Sequence, residues 1–428
     1  AGTVIGNFST IDANKNDTFT YTLVSGTGFT DNDAFAIDSN SLKIKNSPDF
    51  EIKPSYNIRI RTTDKDGLFF EKPLTIQVND LDIPTNITYS ANNNIFTIEG
   101  EGNKAKLQFT LAGRSSNLVN ELGAFKVDDE KGTINGIAPG SIGYVEAALE
   151  RAKVVFSAIS KLPVGFNQIN STSSIEFDSG DKLGFFLVRN STVDSVRSGA
   201  TPTSEILFFQ SETQKVEVLG NGQFYLAWED GKGNSIVDFN DLVVKAVATN
   251  QPIPLGASYQ ANPEGELIDL RDVTGQVKAT FIVNREAAFN NYVIFYQVAD
   301  ANGSIDFDNN GTIDLRPGDT GYAKAAIQSR VAGLDLTVSN QGTATFTTNL
   351  NGGLLYAPLI ISNGKPEELL DNNLNNDPDI YFGSSIANPG KFDHIRLLGN
   401  NTWGFEDLPL GGDRDYNDVV VQANFSRI

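Results

Sequence analysis

The sequence predicts an all-β protein made of tandem β-sandwich domains, and three observations carry that expectation. Short alternating runs such as Phe19-Thr-Tyr-Thr-Leu23, Tyr56-Asn-Ile-Arg-Ile-Arg61 and Leu74-Thr-Ile-Gln-Val78 have the period of two that a half-buried strand requires. Gly, Asn, Asp and Pro clusters bound these runs, as turns demand. The latter part of the chain also repeats itself in order, so its two stretches are copies of one fold.

Strand patterning stops at Asp82-Ile-Pro-Thr-Asn86 and again at the Pro-rich stretch Asn250-Gln-Pro-Ile-Pro-Leu-Gly256. These breaks divide the chain into a small β-domain over residues 1–86, an acidic β-domain over 87–250 and a second acidic β-domain over 251–428. A chain of 428 residues is too long for one ordinary core, which agrees with several domains. Two segments read as helix, Tyr144 to about Ser160 and Tyr322 to Ala332; each follows a Pro-Gly turn and carries an Ala-Ala pair.

The repeat is read from aligned blocks. Trp228-Glu-Asp through Asp238-Phe-Asn-Asp-Leu-Val-Val244 aligns without a gap on Phe405-Glu-Asp through Asp415-Tyr-Asn-Asp-Val-Val-Val421. Upstream, Phe125-Lys-Val127 matches Tyr296-Gln-Val298, and Pro139-Gly-Ser-Ile-Gly-Tyr144 matches Pro317-Gly-Asp-Thr-Gly-Tyr322.

Charge narrows the function classes. With 53 acidic and 33 basic residues the net charge is −20, which argues against a nucleic-acid partner because phosphate contact needs clustered Lys and Arg. There are no cysteines, so disulfides, thiolate metal sites and a cysteine nucleophile are excluded. The absence of methionine, even at position 1, points to a processed or trimmed product. No apolar run reaches the ~18 residues of a transmembrane helix.

The aligned acidic motif has the chemistry of a calcium site. The first copy offers Glu229, Asp230, Asp238, Asn240 and Asp241; the second offers Glu406, Asp407, Asp415, Asn417 and Asp418, with Asp413 in addition. A hard cation takes roughly six to eight oxygens, and ligands leaving one strand, crossing a loop and entering the next can converge on it. The competing reading is a solvated acidic hairpin whose Asp and Asn serve turn geometry. Retention of Glu-Asp and Asp-x-Asn-Asp in both copies, across a differing loop, favours the ion.

A separate signal stands in the third domain. Asp306, Asp308, Asn310, Thr312 and Asp314 fall at positions 1, 3, 5, 7 and 9 of an EF-hand-type loop, with Gly311 at position 6. Pro317 stands where the final Glu belongs, so the last ligand must come from elsewhere, Asp319 being a candidate. The corresponding stretch of the first copy, Asp129 to Asn135, is about seven residues shorter and is expected to lack the ion.

Residues 1–86 resemble a cadherin repeat through Asp12-Ala-Asn14, Asp33-Ala-Phe-Ala-Ile-Asp38, Asp49-Phe-Glu51, Tyr56 through Asp64-Lys-Asp66-Gly67, and Val78-Asn-Asp80-Leu-Asp82. The resemblance implies calcium at domain junctions: Glu51, Asp80 and Asp82 toward the second domain, and Asp12, Asn14 and Asp64 at the opposite end. Residues of about 95–250 and 260–428 resemble the bacterial extracellular family of domain of unknown function 4114, above all in His394-Ile-Arg-Leu-Leu-Gly399 and Gly404 through Val421. That resemblance implies a secreted or surface-attached, calcium-associated β-sandwich with no known reaction.

An enzyme is not expected. His394, the one histidine, follows Asp393 but has no nucleophile-elbow serine, and a structural role on a strand or turn accounts for it. Glu229 and Asp238 could serve as paired glycosidase carboxylates, yet metal ligation explains the same residues with fewer assumptions. The expected function is therefore an extracellular structural protein that binds several Ca²⁺ ions and assembles through its domain ends into a homo-oligomer or polymer. A calcium-dependent adhesin or lectin-like module for surface polysaccharide is the alternative, with Trp228 and Trp403 as either core residues or stacking platforms.

Overall fold

A computed structural model of the chain describes residues 2–12, 17–48, 50, 53–78, 85–100, 102–209, 212–231, 237–308, 310–371 and 373–428. Strands make up 43% of it and helix only 8%, in several separate sheets of which none is closed, as all-β tandem domains require. The chain forms two compact units, Ala1–Ile83 and Pro84–Ile428. No helix among the described residues is long and apolar enough to cross a membrane.

Among its described residues the first unit holds two three-stranded antiparallel sheets. One orders Thr3–Asn7, Ser41–Ile44 and Phe35–Asp38; the other orders Thr20–Leu23, Ser55–Thr63 and Phe69–Gln77. Alternation along Ser55–Thr63 sends Ile58 and Ile60 inward, where they meet Phe35, Leu42 and Ile44 from the other sheet.

The second unit contains both repeats, and their strand orders coincide. In the first repeat one sheet runs Thr172–Asp178, Lys104–Gly113, Leu242–Thr249, Gln223–Trp228, Gln214–Gly220. In the second, Thr343–Asn351, Gln276–Arg285, Val419–Arg427, Thr402–Phe405 and Ile395–Gly399 follow the same order. The opposing sheets correspond as well: Asn120–Val127 pairs Lys182–Val188 as Tyr292–Val298 pairs Leu355–Ser362. Each sandwich closes over an apolar core, with Phe109, Phe185 and Trp228 in the first and Phe281, Phe295 and Trp403 in the second.

A short helix covers the outer face of the second sheet in each repeat, Tyr144–Glu150 and Tyr322–Gln328. Both are seven residues long, shorter than the sequence suggests. In the first repeat the expected helix continues instead as the strand Ala152–Ala158, paired with Asn120–Val127. The run Val154-Val155-Phe156 explains the change: β-branched and aromatic residues buried on both faces fit a strand covered on both sides better than a helix. Tyr144 and Tyr322 anchor the helices alike, each hydroxyl donating to a loop carbonyl, Gly132 and Gly303 respectively.

The two repeats share a junction. Val119, Ile159 and Phe166 of the first form one apolar cluster with Leu398, Tyr416 and Val420 of the second. Polar bonds ring the cluster: the Asn400 amide donates to Thr172 O at 2.7 Å, Gln168 Nε2 to Leu398 O at 3.1 Å and Arg396 Nη1 to Val119 O at 3.3 Å.

Candidate metal centre

In the second repeat Glu406 and Asp407 follow the strand Thr402–Phe405, and Asp415 to Asp418 precede Val419–Arg427, its neighbour in the sheet. Antiparallel pairing therefore returns the second acidic group to the first. Carboxylate oxygens of Glu406, Asp413 and Asp415 lie within 4.8 Å of one another, and so do those of Glu406, Asp407 and Asp418. Glu406 belongs to both groups and is the centre of the site.

Glu406 is fully buried, and neither of its carboxylate oxygens has a hydrogen-bond partner. A buried carboxylate without donors is costly. Burial and the charges of Asp418, Asp413, Asp415 and Asp407 push its carboxyl up to about 9. Burial and Asp407 push Asp418 up to about 8, and burial raises Asp407 and Asp415 as well. The buried guanidinium of Arg285 lies near this group, but its Nη atoms donate to Val338 O, Ala287 O and Asn290 Oδ1. Five carboxylates packed this closely either hold protons or hold a cation.

The surrounding structure keeps the oxygens pointed inward. Asp418 Oδ2 accepts from the Asp407 amide at 2.8 Å, and Asn291 Nδ2 donates to Asp407 Oδ2 at 2.6 Å. The loop crosses directly over Glu406 at Gly412, whose φ is +42°; a Cβ there would stand 2.6 Å from Glu406 Oε1. Tyr416 sits in the left-handed region at φ +53°, an uncommon place for a bulky residue. It is held there by full burial, by its hydroxyl on Asp393 O at 2.7 Å and by Arg396 over its ring at 3.9 Å. His394 stacks on Tyr381 at 3.8 Å and places Nδ1 3.0 Å from Glu406 O, to which it donates. Burial lowers the imidazole to about 4, so the ring is neutral at pH 7.

The first repeat keeps the frame of this site. Asp241 Oδ2 accepts from the Asp230 amide at 2.8 Å, Asn120 Nδ2 donates to Asp230 Oδ2 at 3.0 Å, and Phe239 is left-handed at φ +55°. Its carboxylates gather less closely: among the described residues no three of them bring oxygens within 4.8 Å, although burial, with Asp230 and Glu229 nearby, pushes Asp241 up to about 6. Glu229 turns one oxygen to the amides of Asp238 and Phe239, both at 3.3 Å, and Asn240 donates to Asp238 at 2.6 Å. Residues 232–236 of this loop lie outside the described residues. The clamping asparagines, Asn120 and Asn291, were not anticipated; their equal offsets before Phe125-Lys-Val127 and Tyr296-Gln-Val298 are the signal that marks them.

The EF-hand-type loop brings Asp306, Asp308 and Asp314 within 4.8 Å of one another. Asp306 accepts from the amides of Asn310 and Gly311, and Asn310 Oδ1 accepts from the Thr312 amide. Asp319 does not join them; its carboxylate caps the Arg316 amide at 2.7 Å. The same turn in the first repeat carries Asn135 where the second has Asp306, and there Arg151 binds both Asn135 and Asp128. A guanidinium thus fills the shorter turn, whereas no Lys or Arg pairs with Asp306, Asp308 or Asp314 among the described residues.

In the first unit Asp12 and Asp64 come together with Asp17, a residue the sequence did not single out. The Asp17 side chain is 1% exposed, and its Oδ2 has no hydrogen-bond partner. Asn14, Glu51, Asp80 and Asp82 lie outside the described residues. Trp228 and Trp403 are both fully buried, so neither offers a face for a sugar to stack on.

Residues 350–426, which carry the second-repeat motif, match the family described as Domain of unknown function (DUF4114). Among solved structures the chain is similar to zebrafish RET cadherin-like domains 1 to 4, at 10% identity over 86% of this chain and 65% of that one, with a TM-score of 0.16. No curated protein sequence matches the chain.

Proposed function

We propose that this chain is an extracellular, calcium-binding structural protein, a unit of a bacterial surface layer or filament, and not an enzyme. The observation that carries the reading is Glu406: fully buried, without a hydrogen bond on either oxygen, and surrounded by four further carboxylates that the fold aims at it. An ion at that point replaces the missing donors, satisfies the gathered charges and ties two neighbouring strands to the loop between them. The loop of Asp306, Asp308 and Asp314 is a second position, and the Asp12, Asp17 and Asp64 group a third.

The positions proposed for the ions favour a structural role over ligand presentation. The centre at Glu406 adjoins the junction of the repeats through Tyr416 and Asp415, and burial of both tryptophans removes the platform a lectin reading would use. The modular plan of the chain supports assembly through domain ends. The test is calcium titration of the metal-stripped chain, followed by thermal denaturation and electron microscopy with and without chelator. Bound calcium, a raised Tm and calcium-dependent polymers are expected. Equal Tm values would overturn the metal reading, and monomers under both conditions would overturn assembly.

A further inference from the structure

The two repeats enclose a cleft of about 760 Å³, to which the first contributes Glu150, Ala152 and Arg197 and the second contributes Tyr259, Glu266 and Tyr296, among others. We propose that this cleft binds an organic cation, an ammonium or guanidinium group on a short apolar stem, with Glu266 as its counter-charge. The proposal is independent of the metal sites.

Glu266 is 7% exposed, lines the cleft, and among the described residues its carboxylate takes no hydrogen bond from any other residue. The groups around it are mostly of its own sign. Asp194, Glu264 and Asp393 act on it as like charges, and burial together with these neighbours holds its carboxyl well above the ordinary range. The partners of those neighbours are local: Glu264 accepts from the Ser385 amide and hydroxyl, and Asp194 from the Glu264 amide. Arg396 offsets Asp393 and the buried Glu121 behind it, while Arg197 in the wall donates to Leu149 O at 2.8 Å and offsets Glu264, not Glu266. Arg316 lies on the exposed rim. The floor of the cleft therefore carries more buried carboxylate than cation.

Size and wall chemistry select the guest. A volume of about 760 Å³ falls in the range of small-molecule sites, at a domain junction where such sites concentrate, and far exceeds one ion. Neither Glu264 nor Glu266 belongs to any trio of carboxylates with oxygens within 4.8 Å of one another among the described residues, so there is no metal cage here. The walls include Leu267, Ala301, Pro358, Tyr259 and Tyr296, which suit an aliphatic stem, and Arg271 over the Tyr259 ring at 5.7 Å shows that this wall accepts a guanidinium.

The chemistry is shared by a free polyamine and by a basic side chain of a peptide, and the probes separate them. The full chain is titrated by calorimetry with spermidine, with the peptide Gly-Arg-Gly and with calcium chloride, in the presence of chelator for the first two. Saturable binding of spermidine alone identifies a polyamine site, and of the peptide alone a basic side-chain site; either supports the proposal. Glu266→Gln should weaken binding tenfold or more. Ile386→Arg, at the 58% exposed rim residue Ile386, should block the cleft with a tethered guanidinium while near-ultraviolet circular dichroism stays unchanged. No saturable binding of either probe, unchanged affinity in a folded Ile386→Arg chain, or competition by one calcium ion at the cleft would overturn it.

Discussion

Lys161 of the first repeat and Asp415 of the second face each other across the repeat junction, Nζ 3.4 Å from Oδ2. The lysine side chain is 67% exposed and the aspartate 10%, so an exposed cation covers a nearly buried carboxylate of the candidate site. An ion bound at Glu406 competes with that ammonium for Asp415. Lys161→Gln should therefore raise calcium affinity modestly, about two- to fivefold, because an exposed pair contributes at most about 1 kcal/mol. Calorimetry at low and high salt checks this; the difference should shrink with salt, and identical affinities would remove Lys161 from the site.

Glu406→Gln separates metal binding from folding. Replacing a buried carboxyl that has no hydrogen bond by an amide of the same shape should leave the metal-free chain as stable as before, or more so. The same change should lower calcium affinity at this centre by roughly a hundredfold, about 2.7 kcal/mol. Thermal denaturation with chelator and with excess calcium measures both. A large loss of Tm in chelator would mean that the carboxylate is serving the fold without a metal.

The pH dependence follows from the same carboxyls. Glu406 and Asp418, at about 9 and about 8, keep protons in the folded chain at pH values where the unfolded chain has released them. The metal-free fold thus has this contribution in full below the usual carboxylate range and loses it as pH rises through about 8 and about 9. Without metal, stability should fall between pH 5 and 8; with saturating calcium the slope should flatten, and binding at pH 7 should release protons. Calorimetry in two buffers of different ionisation heat counts them.

The loop at Asp306 is a test of independence. Asp308→Ala should remove one ion from the count in native mass spectrometry without changing calcium affinity at Glu406. Asp319→Ala should leave that count unchanged, because Asp319 caps the Arg316 amide and stands outside the carboxylate group.

The sandwich class and the repeat were legible because they rest on local periodicity and on blocks that keep their order, and the identical strand orders are their three-dimensional form. Glu406 was legible for the same reason. What escaped depended on distance along the chain or on competition between short preferences. Lys161 meets Asp415 across 254 positions, which no motif spans. The Pro-Gly turn and alanines correctly start a helix at Tyr144, but burial of Val154, Val155 and Phe156 against a neighbouring strand wins after Glu150. Asp17 escaped because its role depends on being 1% exposed beside Asp12 and Asp64, which composition cannot reveal. The first-repeat motif looks as complete as the second, yet Glu229 finds backbone amides where Glu406 finds none.

The shared cluster of Val119, Ile159, Phe166, Leu398, Tyr416 and Val420 also has a mechanical consequence. Two sandwiches joined by a flexible tether yield one after the other under load, each rupture a separate step. Sandwiches joined by a buried apolar cluster and interlocking hydrogen bonds resist together, so Pro84–Ile428 should give way in one event and release about 1,200 Å of contour length at once. Such a unit behaves as a stiff link that holds or fails as a whole.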